Sequence, residues 1–130
     1  MANVLIVDDD ADILDASVEL LESAGHRVRQ GTNGAEGLES LDSGPHPDCI
    51  LMDVDMPVMT GPGMAHHMLL HDAGQEKIPI LLVSARDDLE ELARRMGTPY
   101  FLSKTAPEYG KDLLRILDTA LRERRVPSPP

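Results

Sequence analysis

Apolar and polar positions alternate in blocks along this chain of 130 residues. Val4-Leu5-Ile6-Val7 is a short, largely β-branched run that ends in acids, which predicts a buried strand. Ile13, Leu14, Val18, Leu20 and Leu21 then recur at helical spacing, and Gly25 stops that helix. Residues 27–31 read as a weaker strand. Residues 34–42 read as a short helix, weakened by Gly34 and Gly37. Cys49-Ile50-Leu51-Met52 is the next buried strand, and Met64, Met68 and Leu69 follow on a helix that starts near Pro62. Ile80-Leu81-Leu82-Val83 is a third strong strand, with Pro79 at its start, where a sheet tolerates proline. A helix carrying Leu89, Leu92 and Met96 ends at Gly97. Tyr100-Phe101-Leu102 is a last short strand, and Leu113, Leu114, Ile116, Leu117 and Leu121 mark the final helix. Val126-Pro127-Ser128-Pro129-Pro130 cannot continue that helix and reads as a loose tail or a linker root, so the expected domain is 1–125.

Five strands alternating with five helices predict an α/β fold. Strands that are continuously apolar belong in a sheet covered on both faces, hence a parallel one. In such sheets ligands sit beyond the carboxyl ends of the strands, where the strand order reverses. Asp8-Asp9-Asp10, Asp53 and Ser84 fall at those ends, and Lys104 lies just past the fifth. Two or three carboxylates and an ammonium thus converge in one place, which suits a divalent cation and a phosphoryl group. No packed core needs that arrangement.

Composition narrows the classes of function. Hydrophobic residues make up 42% of the chain, enough for a sizeable core. The net charge of −11 and a pI of about 4.7 oppose direct nucleic-acid binding and an anionic membrane surface. With no Trp, one Phe and two Tyr there is no stacking platform for single strands. The lone Cys49 cannot form an internal disulfide and reads as a small buried filler. A reducing, cytoplasmic setting is expected. No apolar run approaches the roughly 20 residues of a membrane span. His66, His67 and His71 tempt a metal reading, since positions four apart share a helix face, but no carboxylate or cysteine completes a set, so they read as a solvated face.

Val7-Asp8-Asp9, Asp53-x-x-Met56-Pro57 with Gly61 four residues on, Ser84-Ala85 and Phe101-x-x-Lys104 occur in that order on alternating strands and helices. Asn33-Gly34-x-Glu36 opens the second helix. Over residues 3–124 the chain resembles the receiver domain of two-component response regulators. The resemblance implies a doubly wound (βα)5 flavodoxin-like fold with a five-stranded parallel sheet of order 2-1-3-4-5. It implies a Mg2+-dependent switch (Mn2+ being the alternative) in which Asp53 takes a phosphoryl group from the phosphohistidine of a sensor histidine kinase or phosphotransfer protein. Asp9 and Asp53 would bind the cation directly, with the Asp55 backbone carbonyl as third ligand and Asp8 acting mainly through water. Ser84 and Lys104 would hold phosphoryl oxygens. Phe101 would swing inward as Ser84 moves, passing the event to a downstream protein partner. Asp10 is expected to cap the first helix. Asp55 and Arg86 sit at variable positions, where a salt bridge between them would shield the acyl phosphate; alternatively, Asp55 would orient the attacking water. No small-molecule substrate beyond phosphodonors is expected.

Three departures from the family pattern stand out. Thr105 follows Lys104 where proline in a cis peptide is common; a cis bond before a non-proline residue costs ~2.5–4 kcal/mol, so a trans bond is expected. Ser84 and Lys104 lie closer in sequence than the family spacing, with the deficit in the fourth helix. Gly37 replaces a more usual alanine and should loosen the second helix by ~1 kcal/mol. Two other functions are weighed. Asp53-Val54-Asp55 resembles the DxD of haloacid-dehalogenase-type phosphatases, but that motif ends a first core strand, and two strands precede it here. A flavodoxin-like cofactor binder needs bare amides at its first turn, which is acidic here.

Overall fold

The computed structural model describes residues 2–71 and 78–124. β3 (Cys49–Asp53) lies at the centre of a five-stranded sheet, with β1 (Asn3–Val7) and then the edge strand β2 (Arg27–Gly31) on one side, and β4 (Ile80–Ser84) and then β5 (Tyr100–Ser103) on the other. Every pairing is parallel and the order is 2-1-3-4-5. The helices are α1 (Ala11–Ser23), α2 (Gly34–Asp42), α3 (Gly61–His71), α4 (Leu89–Met96) and α5 (Tyr109–Arg124). The expected fold class and all ten elements are thus present, with the fourth helix only eight residues long. The domain limit at 125 and the proline-rich stretch 126–130 lie outside the described residues.

The strands divide the core into two layers because successive side chains point to opposite faces. Val4, Ile6, Leu51, Leu81, Val83 and Leu102 pack with α1 and α5. Leu5, Val7, Ile50, Met52 and Leu82 pack with α2, α3 and α4. Every methionine of the described residues belongs to the second layer: Met52, Met56, Met59, Met64, Met68 and Met96. Cys49 is fully buried, as expected of a filler. Gly37 is also buried, and its missing β-carbon leaves the space that the thioether end of Met64 occupies. Asp10 caps α1, its carboxylate accepting from the Asp12 and Ile13 N–H groups at 3.1 and 3.3 Å. Asn33 caps α2 through the Glu36 N–H at 2.9 Å.

The order reverses between β1 and β3, so their carboxyl ends open onto a crevice. Val7 is in register with Met52, which puts Asp8 beside Asp53.

Candidate functional site

Asp8 follows β1 and its N–H donates to the Gly31 carbonyl at 3.0 Å, a continuation of the ladder that fixes its backbone. Asp53 is the last residue of β3 and Ser84 the last of β4. Asp8, Asp53 and Ser84 are all buried. Lys104 follows β5, and its N–H donates to the Ser84 carbonyl at 3.0 Å. From there the side chain reaches back across the sheet. Its Nζ lies 3.0 Å from Asp8 Oδ1 and 3.2 Å from Asp53 Oδ2. The second oxygen of Asp53 accepts from the Val54 N–H at 2.8 Å, and Asp8 Oδ1 also accepts from the Asp10 N–H at 2.9 Å.

Asp9 is exposed on the rim above this pair. One carboxylate oxygen from each of Asp8, Asp9 and Asp53 falls within 4.8 Å of the other two. Three carboxylates against one ammonium leave a charge of about −2 when all are ionised, and a divalent cation cancels it. The donors are hard oxygens and the rim is open to water, the set that suits Mg2+ rather than a soft metal. On donor chemistry, then, the residues present fit the cation.

The electrostatics are those of a buried acidic pair that shares one ammonium. Burial, and then the neighbouring Asp8 charge, push the Asp53 carboxyl up to about 7, against the opposing pull of Lys104. Burial works against the Lys104 charge, but its hydrogen bond to Asp8 and the two carboxylate charges outweigh it and raise its pKa.

Around the mouth, Arg86 pairs with Asp55 through Nη1 and Oδ1 at 3.2 Å, as the sequence suggested. The other edge of the same guanidinium grips Asp88 in two bonds, Nε to Oδ1 at 2.8 Å and Nη2 to Oδ2 at 2.9 Å. The Arg86 N–H donates to Ser84 Oγ at 3.0 Å. Asp88 precedes α4 but makes no side-chain cap there, because its oxygens serve Arg86. The Asp88 partnership was not read from the sequence, although an acid two residues after Arg86 in a strand-to-helix turn is the available signal.

Phe101 is half-buried and packs into the methionine-bearing layer. Its neighbour Tyr100 packs on the opposite face, and its hydroxyl donates to Glu123 at 2.7 Å. The two adjacent aromatics are thereby separated by the sheet. His66 is exposed and His67 stacks edge-on against it at 6.5 Å; the side chain of His71 lies outside the described residues. Among the described residues these histidines join no metal-binding group.

All peptide bonds of the described residues are trans, and Lys104–Thr105 is trans as expected before a residue that is not proline. The loop there is fixed by side chains: Ser103 Oγ accepts from the Thr105 N–H at 3.1 Å and lies 2.8 Å from Thr105 Oγ1. After Asp53, Val58 takes a φ of 66°, and the Met59 N–H closes a three-residue turn on the Pro57 carbonyl at 2.6 Å. Below the acidic pair, Tyr109 at the start of α5 meets Ser17 of α1, oxygen to oxygen at 3.3 Å. Ser17 sits between Leu14 and Leu21 at helical spacing, so a polar residue on a buried stripe was the sequence signal for it.

The family model of the response regulator receiver domain matches residues 4–117. Protein PilH of Pseudomonas aeruginosa is 32% identical over 123 residues, covering 93% of this chain and 98% of PilH. The phosphoglycerate transport system transcriptional regulatory protein PgtA of Salmonella typhimurium is 36% identical over 125 residues, but the chain spans only 29% of that relative's length. Among solved structures, a putative response regulator from Chloroflexus aurantiacus matches with a TM-score of 0.82 at 26% identity, over 93% of this chain and 98% of the other. A CheY-like receiver domain protein from Methanospirillum hungatei gives 0.79 at 26% identity, over 95% and 96%. Fold, motif order and these matches agree: the chain belongs to the response regulator receiver domain family.

Proposed function

We propose that Asp53 is the phospho-acceptor of this receiver domain. One oxygen of its carboxylate attacks the phosphorus of a phosphohistidine on a histidine kinase or phosphotransfer protein. The P–N bond breaks, its electron pair returns to the imidazole, and an aspartyl phosphate remains. Asp9, Asp53 and the Asp55 backbone carbonyl would hold Mg2+ directly, and Asp8 would hold it through water. A cation bound there neutralises charge on the acids and on the incoming phosphoryl oxygens. Lys104 pairs with one phosphoryl oxygen and Ser84 donates its hydroxyl to another, so both act by position and charge.

The observation that carries this reading is the placement of the Lys104 ammonium 3.0 Å from Asp8 and 3.2 Å from Asp53, with Asp9 in ligand reach above them. Ser84 Oγ accepts from the Arg86 amide, which leaves its own O–H free to donate to a phosphoryl oxygen. Engagement of Ser84 by that oxygen, with Phe101 moving on β5, is the switch by which the site would signal to a protein partner. The chain thus acts as a stoichiometric switch and not as a turnover enzyme.

Incubation with acetyl phosphate and Mg2+, followed by intact mass, tests the proposal. One added phosphoryl group is expected; it should not be gained when the metal is chelated beforehand, nor in Asp53→Asn. Labelling of the variant at the parent rate would refute it.

A further inference from the structure

Ser17 and Tyr109 form a buried polar contact that the phosphotransfer scheme leaves unused. The serine is 1% exposed on a stripe otherwise made of Leu14 and Leu21. Packing alone would favour an apolar residue there, since a buried hydroxyl is unfavourable unless bonded. Its partner is the phenol of Tyr109, 92 residues away in sequence, at 3.3 Å. Both residues line the same small space as Asp8 and Asp53, directly beneath the acidic hollow and with no room for a water. The Asp8, Lys104 and Asp53 charges all reach the Tyr109 phenol, whose pKa is raised mainly by burial.

Tyr109 also ends the loop that begins at Lys104. At its near end that loop is anchored by the Lys104 N–H on the Ser84 carbonyl and by the Ser103–Thr105 pair. Thr105 stands there in a trans linkage where proline was the family expectation. The far end is tied to α1 through Tyr109 and Ser17.

We infer that Tyr109 is a positioning residue for Lys104: its hydroxyl, bonded to Ser17, pins the far end of the Lys104 loop and so keeps the ammonium between Asp8 and Asp53. Its effect on phosphorylation rests on the function proposed above; its effect on the Lys104 contacts does not. Tyr109→Phe and Ser17→Ala each remove only the bond, and neither disturbs the ring or the helix.

The test measures these variants, singly and together, in the parent and in a Lys104→Met background, by two readouts. The first is the rate of labelling by acetyl phosphate with Mg2+. Each single variant is expected to slow it roughly three- to tenfold, as a small misplacement of a charged group does. The double variant should be no slower than either, and neither change should matter once Lys104 is gone. The second readout, on metal-free protein, is the denaturant midpoint, in which Tyr109→Phe and Lys104→Met should combine non-additively. A mere structural tether gives the same fold loss in both backgrounds and additive midpoints. Either that pattern, or labelling of Tyr109→Phe at the parent rate, would overturn the inference. If the parent itself takes up no phosphoryl group, the proposed function fails, and the midpoint cycle alone decides for or against Tyr109.

Discussion

Gly61 lies so close to the backbone carbonyl of Asp53 that no β-carbon fits between them. The same residue donates its N–H to the Val54 carbonyl at 2.9 Å, so the start of α3 is stitched to the end of β3. An alanine must push either the helix or the strand end that presents the Asp53 carboxylate. Gly61→Ala is therefore expected to destabilise the fold by ~1–3 kcal/mol and to slow labelling of Asp53. Denaturant unfolding and intact-mass kinetics on the same variant check both parts. Parent-like values in both would show that the close approach places no constraint on Asp53.

The raised carboxyl of Asp53 has a consequence for stability. Its folded value of about 7 stands above the ordinary carboxylate range, so the folded chain binds this proton more tightly than the unfolded chain. The stability this contributes is complete below the unfolded value, near 4, and is lost as pH rises to about 7. In metal-free buffer the stability difference between the parent and Asp53→Asn should shift against the parent between pH 5 and pH 7, by up to about 1.4 kcal/mol per pH unit. Added Mg2+ at pH 8 should stabilise the parent more than the variant. Parallel pH curves for the two proteins would count against the raised value.

Arg86 spans the mouth of the hollow with Asp55 on one edge and Asp88 on the other. All three are substantially exposed, so the pairs contribute little to folding. Their influence should show in kinetics. If Asp53 carries the proposed acyl phosphate, water must reach its phosphorus to hydrolyse it, and the arch would stand in that path. Arg86→Ala is expected to shorten the phosphoryl half-life several-fold with an unchanged unfolding midpoint. Asp88→Ala should do so more weakly, because Asp55 still holds the guanidinium. An unchanged half-life in Arg86→Ala would sink the shielding role.

Val58 is 86% exposed, with its backbone in a region that β-branched residues avoid. The turn that it centres needs a positive φ, and a residue that tolerates one should relieve the strain without losing packing. Val58→Asn is expected to raise stability by roughly 0.5–1 kcal/mol, part of the ~1–2 kcal/mol such a conformation costs. A lowered melting temperature would show that the valine is held there by something other than the turn.

Gly37 puts two effects in opposition. Helix propensity alone says that alanine stabilises α2 by ~1 kcal/mol. A β-carbon there meets Met64 Sδ and Cε at 2.7 Å and Val7 Cγ2 at 3.0 Å. The thioether tip can shift; the valine sits on a central strand and cannot. Overpacking of ~1–3 kcal/mol should outweigh the helical gain, so Gly37→Ala should be less stable than the parent and Gly37→Ala with Met64→Leu closer to it. Chemical denaturation of the three proteins decides.

Much of this molecule was legible in its sequence because the sheet is parallel and buried. Continuous apolar runs mark such strands plainly, and the acids and the lysine that end them stand out against those runs. Asp8, Asp53 and Lys104 were therefore legible from the chain itself, whereas the Asp55–Arg86 pair was read from the family's variable positions. The strand order came from the family resemblance, since periodicity carries no information about which strands are neighbours. What escaped depends on contacts between distant segments or on backbone geometry. Nothing near Gly37 tells of Met64 filling its space, and nothing in Pro57-Val58-Met59 announces a positive φ. Ser17 was visible as a polar residue on an apolar stripe, but Tyr109 was not visible as its partner.

The uneven allocation of methionine gives the molecule a soft side and a stiff side. Thioether chains have three rotatable bonds and slip between rotamers with little penalty, whereas branched aliphatic chains resist. A shift of Phe101 or α4 can thus be absorbed by local rearrangement of the layer beneath it, while α1 and α5, backed by leucine, valine and isoleucine, stay as the frame against which that shift is measured. The same allocation makes the yielding side the one that peroxide would stiffen or disrupt first.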